Sequence, residues 1–240
     1  MSDWMGSEIT LGFGSIVLGM LAGRLCTWVA HWLPALLEQQ WQRDARELLG
    51  LDFEKPCDLQ TTGAPIRGTW AAQIGCAVLS LVVTVHFGPT MQAFFVLLFT
   101  WYLLALSLID SKHYLLPDVL AMPVLWIGLV INSFGLLTTL QEALWGCVIG
   151  YVSLWSVFHL VKHITGKESL GAGDFKLLAL IGAWGGWQIV PYTVATALLL
   201  AMAPIVCLRL LKAQSVRMPF GPFLSLAGWI ALLVSHSQPW

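Results

Sequence analysis

Three aspartates stand at the edges of long apolar runs, where a carboxylate at membrane depth is expensive. Asp110 closes the run from Phe94 to Ile109, Asp174 follows Gly171-Ala172-Gly173 and opens another, and Asp118 sits between them behind Pro117. Most other acids are excused by position: Asp3 and Glu8 precede the first apolar run, Glu38 to Asp58 lie in a polar stretch, and Glu142 opens the fifth run. Two carboxyl groups brought together cannot both ionise cheaply, so one keeps a proton. Such a pair can activate water with one member and protonate an amide leaving group with the other, which is the chemistry of an aspartic protease. Asp110 and Asp174 are the candidates for that pair.

The neighbours of these acids carry a structural reading beside the chemical one. Without side chains, Gly171 and Gly173 let another backbone approach Asp174, so an extended substrate peptide could lie there. Taken alone, Gly171-x-Gly173-Asp174 fits an ordinary helix start with an acidic cap equally well. Pro117 suits a first helical turn, and Asp118 reads as its cap and dipole partner rather than as a member of the dyad. Pro219-Phe220-Gly221-Pro222 reads as a rigid turn before the last span. Lys112 and Lys176 are placed to offset carboxylate charge, although their simplest reading is topogenic. His159 and His163 are four apart on one helix face, but no HExxH pattern or third ligand accompanies them, so no metal site is expected. Glu168 reads as solvated loop.

The elements that must position these groups are helices in a bilayer. Of the 240 residues, 58% are hydrophobic and 10% charged, with a mean hydropathy of +0.77, far from the roughly 25% charged residues of a soluble domain. A water-soluble globule is excluded. Twelve Lys and Arg against 13 Asp and Glu leave a net charge of -1, so nothing in the composition favours nucleic acid as a partner. Apolar runs near 9–33, 70–88, 91–110, 117–135, 141–163, 174–187, 189–210 and 222–235 predict an all-α, polytopic fold of about eight transmembrane helices. The first, within residues 1–35, is read as a retained helix because it lacks a basic leader and is too long for a signal core. Residues 36–68 form the one sizeable polar loop, opening with an amphipathic stretch of Leu37, Trp41, Ala45 and Leu48. Residues 69–240 form the helical core. Gly19/Gly23 and Gly146/Gly150, at helical spacing, are expected to bring helices close.

Orientation follows from the cations. Arg43, Arg46, Lys55, Arg67, Lys112, Lys162, Lys167, Lys176, Arg209, Lys212 and Arg217 all fall in or beside alternate loops, and the opposite loops carry none. Since Lys and Arg accumulate in cytoplasmic loops, the aspartates belong on the cytoplasmic side and both termini on the other. Acids at membrane depth also mark ion pathways, so a small polytopic transporter using carboxylates as proton or cation sites is the alternative reading. Transporter sites lie near the midplane, often in related repeats, whereas these acids sit at one interface. A noncatalytic scaffold would leave both aspartates without a task.

Three segments together resemble the type IV prepilin peptidases, membrane aspartic proteases of the GxGD type. They are Ile109-Asp110-Ser111-Lys112-His113-Tyr114-Leu115-Leu116-Pro117-Asp118, Gly171-Ala172-Gly173-Asp174-Phe175-Lys176, and Pro219-Phe220-Gly221-Pro222-Phe223. They occur in the family's order, and the similarity extends from about Phe94 to Gly228. The resemblance implies catalysis by Asp110 and Asp174 without a cofactor. It implies cleavage after Gly of a basic leader from prepilins or pseudopilins, at the cytoplasmic face of a bacterial inner membrane. Many members also methylate the new N-terminus from S-adenosylmethionine and carry two CxxC pairs in the first loop. Here that loop is shorter and keeps only Cys57; the other thiols, Cys26, Cys76, Cys147 and Cys207, sit in apolar segments. The missing pairs argue against a bound zinc, while methylation stays open.

Overall fold

A computed structural model describes residues 2–49, 69–166, 171–210 and 219–237. Its described residues form eight helices: α1 (Ser2–Leu49), α2 (Thr69–Phe87), α3 (Met91–His113), α4 (Asp118–Ser133), α5 (Leu140–Thr165), α6 (Ala172–Gly185), α7 (Ile189–Leu210) and α8 (Gly221–Ser237). One helix answers to each apolar run, and four of the helices are long and apolar enough to cross a membrane. This is a polytopic membrane protein. Cys57, Glu168 and the cations Lys55, Arg67, Lys167, Lys212 and Arg217 lie outside the described residues.

The first helix differs from expectation in length. Where the sequence reads as a span followed by a separate amphipathic helix, α1 runs unbroken through Pro34 to Leu49. An interior proline removes only one main-chain donor, a loss that helices in membranes accommodate. The amphipathic stretch is therefore the tail of α1, with Trp41 51% and Leu48 88% exposed. Of its apolar stripe, Leu37 is half-buried while Trp41, Ala45 and Leu48 are exposed.

Close helix contacts fall at the expected glycines. A Cβ on Gly19 or Gly23 would lie 2.7 Å from the Ala77 Cα or 2.8 Å from the Gln73 Cα, so α1 and α2 touch backbone to backbone. On α5, a Cβ at Gly146 would strike the Gly182 carbonyl, and one at Gly150 would lie 2.7 Å from the Leu178 oxygen. These contacts draw α6 into the middle of the bundle. From Leu177 to Trp184 the helix is buried, with Trp184 stacked on Phe99 at 4.7 Å between ring centroids and its indole N–H donating to the Val124 carbonyl at 2.9 Å. At 14 residues, α6 rises about 21 Å, less than the roughly 30 Å of a bilayer core. A helix wrapped by its neighbours need not reach either surface itself.

Candidate active site

Asp110 lies in the last turn of α3, where the helix ends because Tyr114 turns into the left-handed region (φ 51°, ψ 34°) and returns its N–H to the Asp110 carbonyl. Asp174 lies in the first turn of α6, behind Gly171 as N-cap. Both side chains are buried, with 7% and 6% exposure. The Asp110 carboxyl is close enough for its charge to act on Asp174. Helix ends that are 64 residues apart in the chain thus bring two acids together away from water.

The Asp110 carboxylate is held by a glycine amide. The Gly221 N–H, at the start of α8, donates to Asp110 Oδ2 at 3.0 Å in a buried bond. The Asp174 N–H donates to the Gly171 carbonyl at 3.2 Å, and a Cβ on Gly171 would lie 3.7 Å from Asp174 Oδ2. The free amides and positive dipole ends of two helices thus converge on the two acids.

Two of these glycines are required by close approach. A Cβ on Gly221 would lie 2.5 Å from Asp110 Oδ2, so any side chain there displaces the carboxylate. A Cβ on Gly173 would lie 2.7 Å from the Leu116 Cβ, because the α3–α4 connection crosses directly over the α6 N-terminus. Gly221 is the site residue that the sequence does not single out: the Pro219 to Pro222 segment reads as a rigid re-entry turn near the site rather than as part of its chemistry. Its signal was the third motif itself, whose glycine follows the turn at the position where a helix offers free amides.

The remaining candidates fall into place unevenly. Lys176 Nζ pairs with Asp118 Oδ1 at 2.5 Å, tying the first turn of α6 to the first residue of α4. Asp118 makes no cap: the N-cap is Pro117, without a side-chain cap bond, and the carboxylate goes to Lys176. Lys112 is exposed at the end of α3, within electrostatic reach of His31 rather than on the carboxylates. The His159 ring lies tilted against Trp155, 4.2 Å between centroids, and faces the Trp155 carbonyl at 3.0 Å, so it is engaged by its own helix. Among the described residues, no group of three or more His, Cys, Asp or Glu is arranged to hold a metal ion.

Fold and site together define a polytopic helical membrane protein with two buried carboxylates meeting at one end of the bundle. The profile of the Type IV leader peptidase family matches residues 97–206, a stretch that contains both acids. A "Prepilin leader peptidase/N-methyltransferase" of Stutzerimonas stutzeri is 44% identical over 91% of this chain and 89% of its own length. Relatives of the same name in Pseudomonas aeruginosa and Aeromonas salmonicida are 45% and 35% identical, over 91% and 92% of this chain and 89% and 90% of their own. No solved structure matches. The chain belongs to the type IV prepilin leader peptidase/N-methyltransferase family. The alignment with the Stutzerimonas protein runs over 257 positions yet uses 91% of a 240-residue chain, so the relative carries residues that this chain lacks inside the aligned stretch.

Proposed function

We propose that this chain is a prepilin leader peptidase, an aspartic endopeptidase whose catalytic pair is Asp110 and Asp174. The observation that carries the reading is the pair itself: two buried acids within electrostatic reach of each other, Asp110 fixed by the Gly221 amide. The ionised carboxylate takes a proton from water as the water oxygen attacks the scissile carbonyl carbon, and the protonated partner gives its proton to the carbonyl oxygen. Collapse of the tetrahedral intermediate, with a proton passed to the departing nitrogen, breaks the amide bond. Exclusion of bulk water strengthens each of these interactions.

The substrate we assign is a prepilin or pseudopilin with a short basic leader, cut after Gly. The room that Gly173 leaves is taken by Leu116 of the protein's own chain, so a substrate backbone has to approach Asp174 from another side. Lys112, Lys162 and Lys176 lie at the aspartate end of the bundle, whereas the connections 88–90, 134–139 and 186–188 at the other end hold no Lys or Arg. By the positive-inside rule the acids face the cytoplasm across a bacterial inner membrane, and both termini face the periplasm. Methylation of the new N-terminus from S-adenosylmethionine completes the proposal, as the relatives' name indicates. No described residue is assigned to that step, and most of the first loop lies outside them. The transporter reading gives way, because both acids sit at helix ends rather than at mid-helix and because the chain belongs to a peptidase family.

The test is to reconstitute the purified protein with a prepilin and follow leader removal by mass shift. Asp110→Asn and Asp174→Asn are expected to abolish cleavage while remaining folded; cleavage retained in either rejects the dyad. Labelled S-adenosylmethionine in the same reaction decides the methylation.

A further inference from the structure

Among the described residues a single buried side-chain polar atom has no hydrogen-bond partner, the Ser225 hydroxyl, on a residue 3% exposed. Other hydroxyls in these helices avoid that state locally: those of Thr84, Thr100, Ser107 and Thr193 each donate to the carbonyl four residues back. Ser225 does not make this bond, although the Gly221 carbonyl stands at that distance along α8. Buried hydroxyls are paired as a rule, with protein or with water, because leaving one unpaired forfeits its hydration.

The register of α8 against α3 says where Ser225 points. Gly221 meets α3 through Asp110 at 3.0 Å, and Trp229 meets it through an indole N–H donated to the Thr100 hydroxyl at 2.9 Å. Positions 221, 225 and 229 follow the four-residue spacing of one helix face. Ser225 therefore lies in the same α3–α8 seam, one turn deeper than the Asp110 carboxylate. A helical side chain leans toward the N-terminus of its helix, here toward Gly221 and Asp110. One turn is about 5.4 Å, a gap that one water bridges with two hydrogen bonds of about 2.8 Å.

We propose that Ser225 binds a water molecule in the α3–α8 seam beneath Asp110, and that this water holds the Asp110 carboxylate from below as the Gly221 amide holds it from the side. Ser225 is on this account a positioning residue: it touches the water, and the water orients the acid. The proposal rests on the Asp110–Asp174 dyad and adds a bound water to it. A water with polar partners in an otherwise apolar seam is a structural component, costly to remove.

The test uses the full-length protein in lipid with Ser225→Ala, which keeps the helix. Infrared difference spectra in ordinary water and in water labelled with oxygen-18 are expected to show a buried-water O–H band in the wild type that is lost in S225A. Prepilin cleavage is expected to fall by about tenfold in kcat, the scale of one hydrogen bond, with KM within about twofold and the thermal midpoint not raised. A band that survives in S225A, or an unchanged kcat, overturns the proposal. Asp110→Asn and Asp174→Asn run alongside. If both lose cleavage and S225A does not, the dyad stands and the water fails. If either retains cleavage, the dyad reading fails and the infrared band alone decides whether Ser225 holds water.

Discussion

At the end of the bundle away from the aspartates, the connection 134–139 is tied down from several helices at once. Asn132, 1% exposed, donates to the Ala183 and Trp184 carbonyls at 2.9 and 3.1 Å and accepts from the Leu137 and Thr138 amides at 3.2 and 3.1 Å. Glu142 accepts from Thr138 Oγ1 at 2.6 Å and from Gln188 Nε2 at 2.7 Å, and closes a capping box with Thr139. Gln92 of α3 donates to the Leu136 carbonyl at 2.7 Å, and His236 of α8 faces the Leu137 carbonyl at 3.1 Å. At the aspartate end the Gly221 amide of α8 bonds to the Asp110 carboxylate, and one partly exposed ion pair joins Lys176 to Asp118. Side-chain hydrogen bonds centred on Asn132 and Glu142 lock one end, and two buried acids, one of them held by the Gly221 amide, furnish the other. A membrane enzyme has to keep its helices in register somewhere while leaving room for a peptide elsewhere, and this chain divides the two tasks between its ends.

That division can be broken deliberately. The largest effect is expected at the dyad: Asp110→Asn or Asp174→Asn lowers cleavage by at least about a hundredfold, with the thermal midpoint in detergent not lowered. A strong loss of folding there would merge the two ends. Next comes Gly221→Ala, whose Cβ pushes the Asp110 carboxylate aside. Cleavage falls by about a hundredfold, the cost of a misplacement near 1 Å, which steady-state kinetics on reconstituted enzyme would read. At the locked end Asn132→Ala strands two carbonyls and two amides, and denaturant titration is expected to show a loss of about 2–4 kcal/mol. Its kcat per folded molecule is expected to stay within twofold or so of wild type; a collapse in kcat without a stability change would show that the ends are not separable. The smallest effect belongs to Lys176→Gln. The pair it breaks is 26% exposed on one side and 58% on the other, and such pairs contribute under about 1 kcal/mol.

What was legible in the sequence followed from strong local signals. Eight apolar runs became eight helices because nothing but a helix satisfies its backbone within a bilayer. Asp110 and Asp174 announced themselves because carboxylates beside such runs are rare, and Gly19/Gly23 and Gly146/Gly150 became contacts because a missing Cβ is the cheapest way to bring helices together. What was not legible depended on which side chain meets which across the bundle. Nothing in the order of residues tells that the Gly221 amide ends on Asp110, or that Asp118 spends its charge on Lys176 rather than on its own helix. Asn132 was invisible for the same reason: a single asparagine in an apolar run shows its four partners only once α6 lies against it. The unbroken α1 was not legible because the apolar run stops near residue 33 and the amphipathic stretch begins at Leu37, while one helix carries Pro34 through both.

The most direct measurement is chemical cross-linking of the two acid positions. In a cysteine-free background, Asp110→Cys and Asp174→Cys are combined in one chain in inner-membrane vesicles and treated with a short bifunctional maleimide and, separately, with membrane-impermeant thiol reagents from either side. The account predicts an intramolecular cross-link between positions 110 and 174, and protection of both by a prepilin added at the cytoplasmic face. Two cysteines that label from opposite sides of the membrane, or that never join, would contradict it.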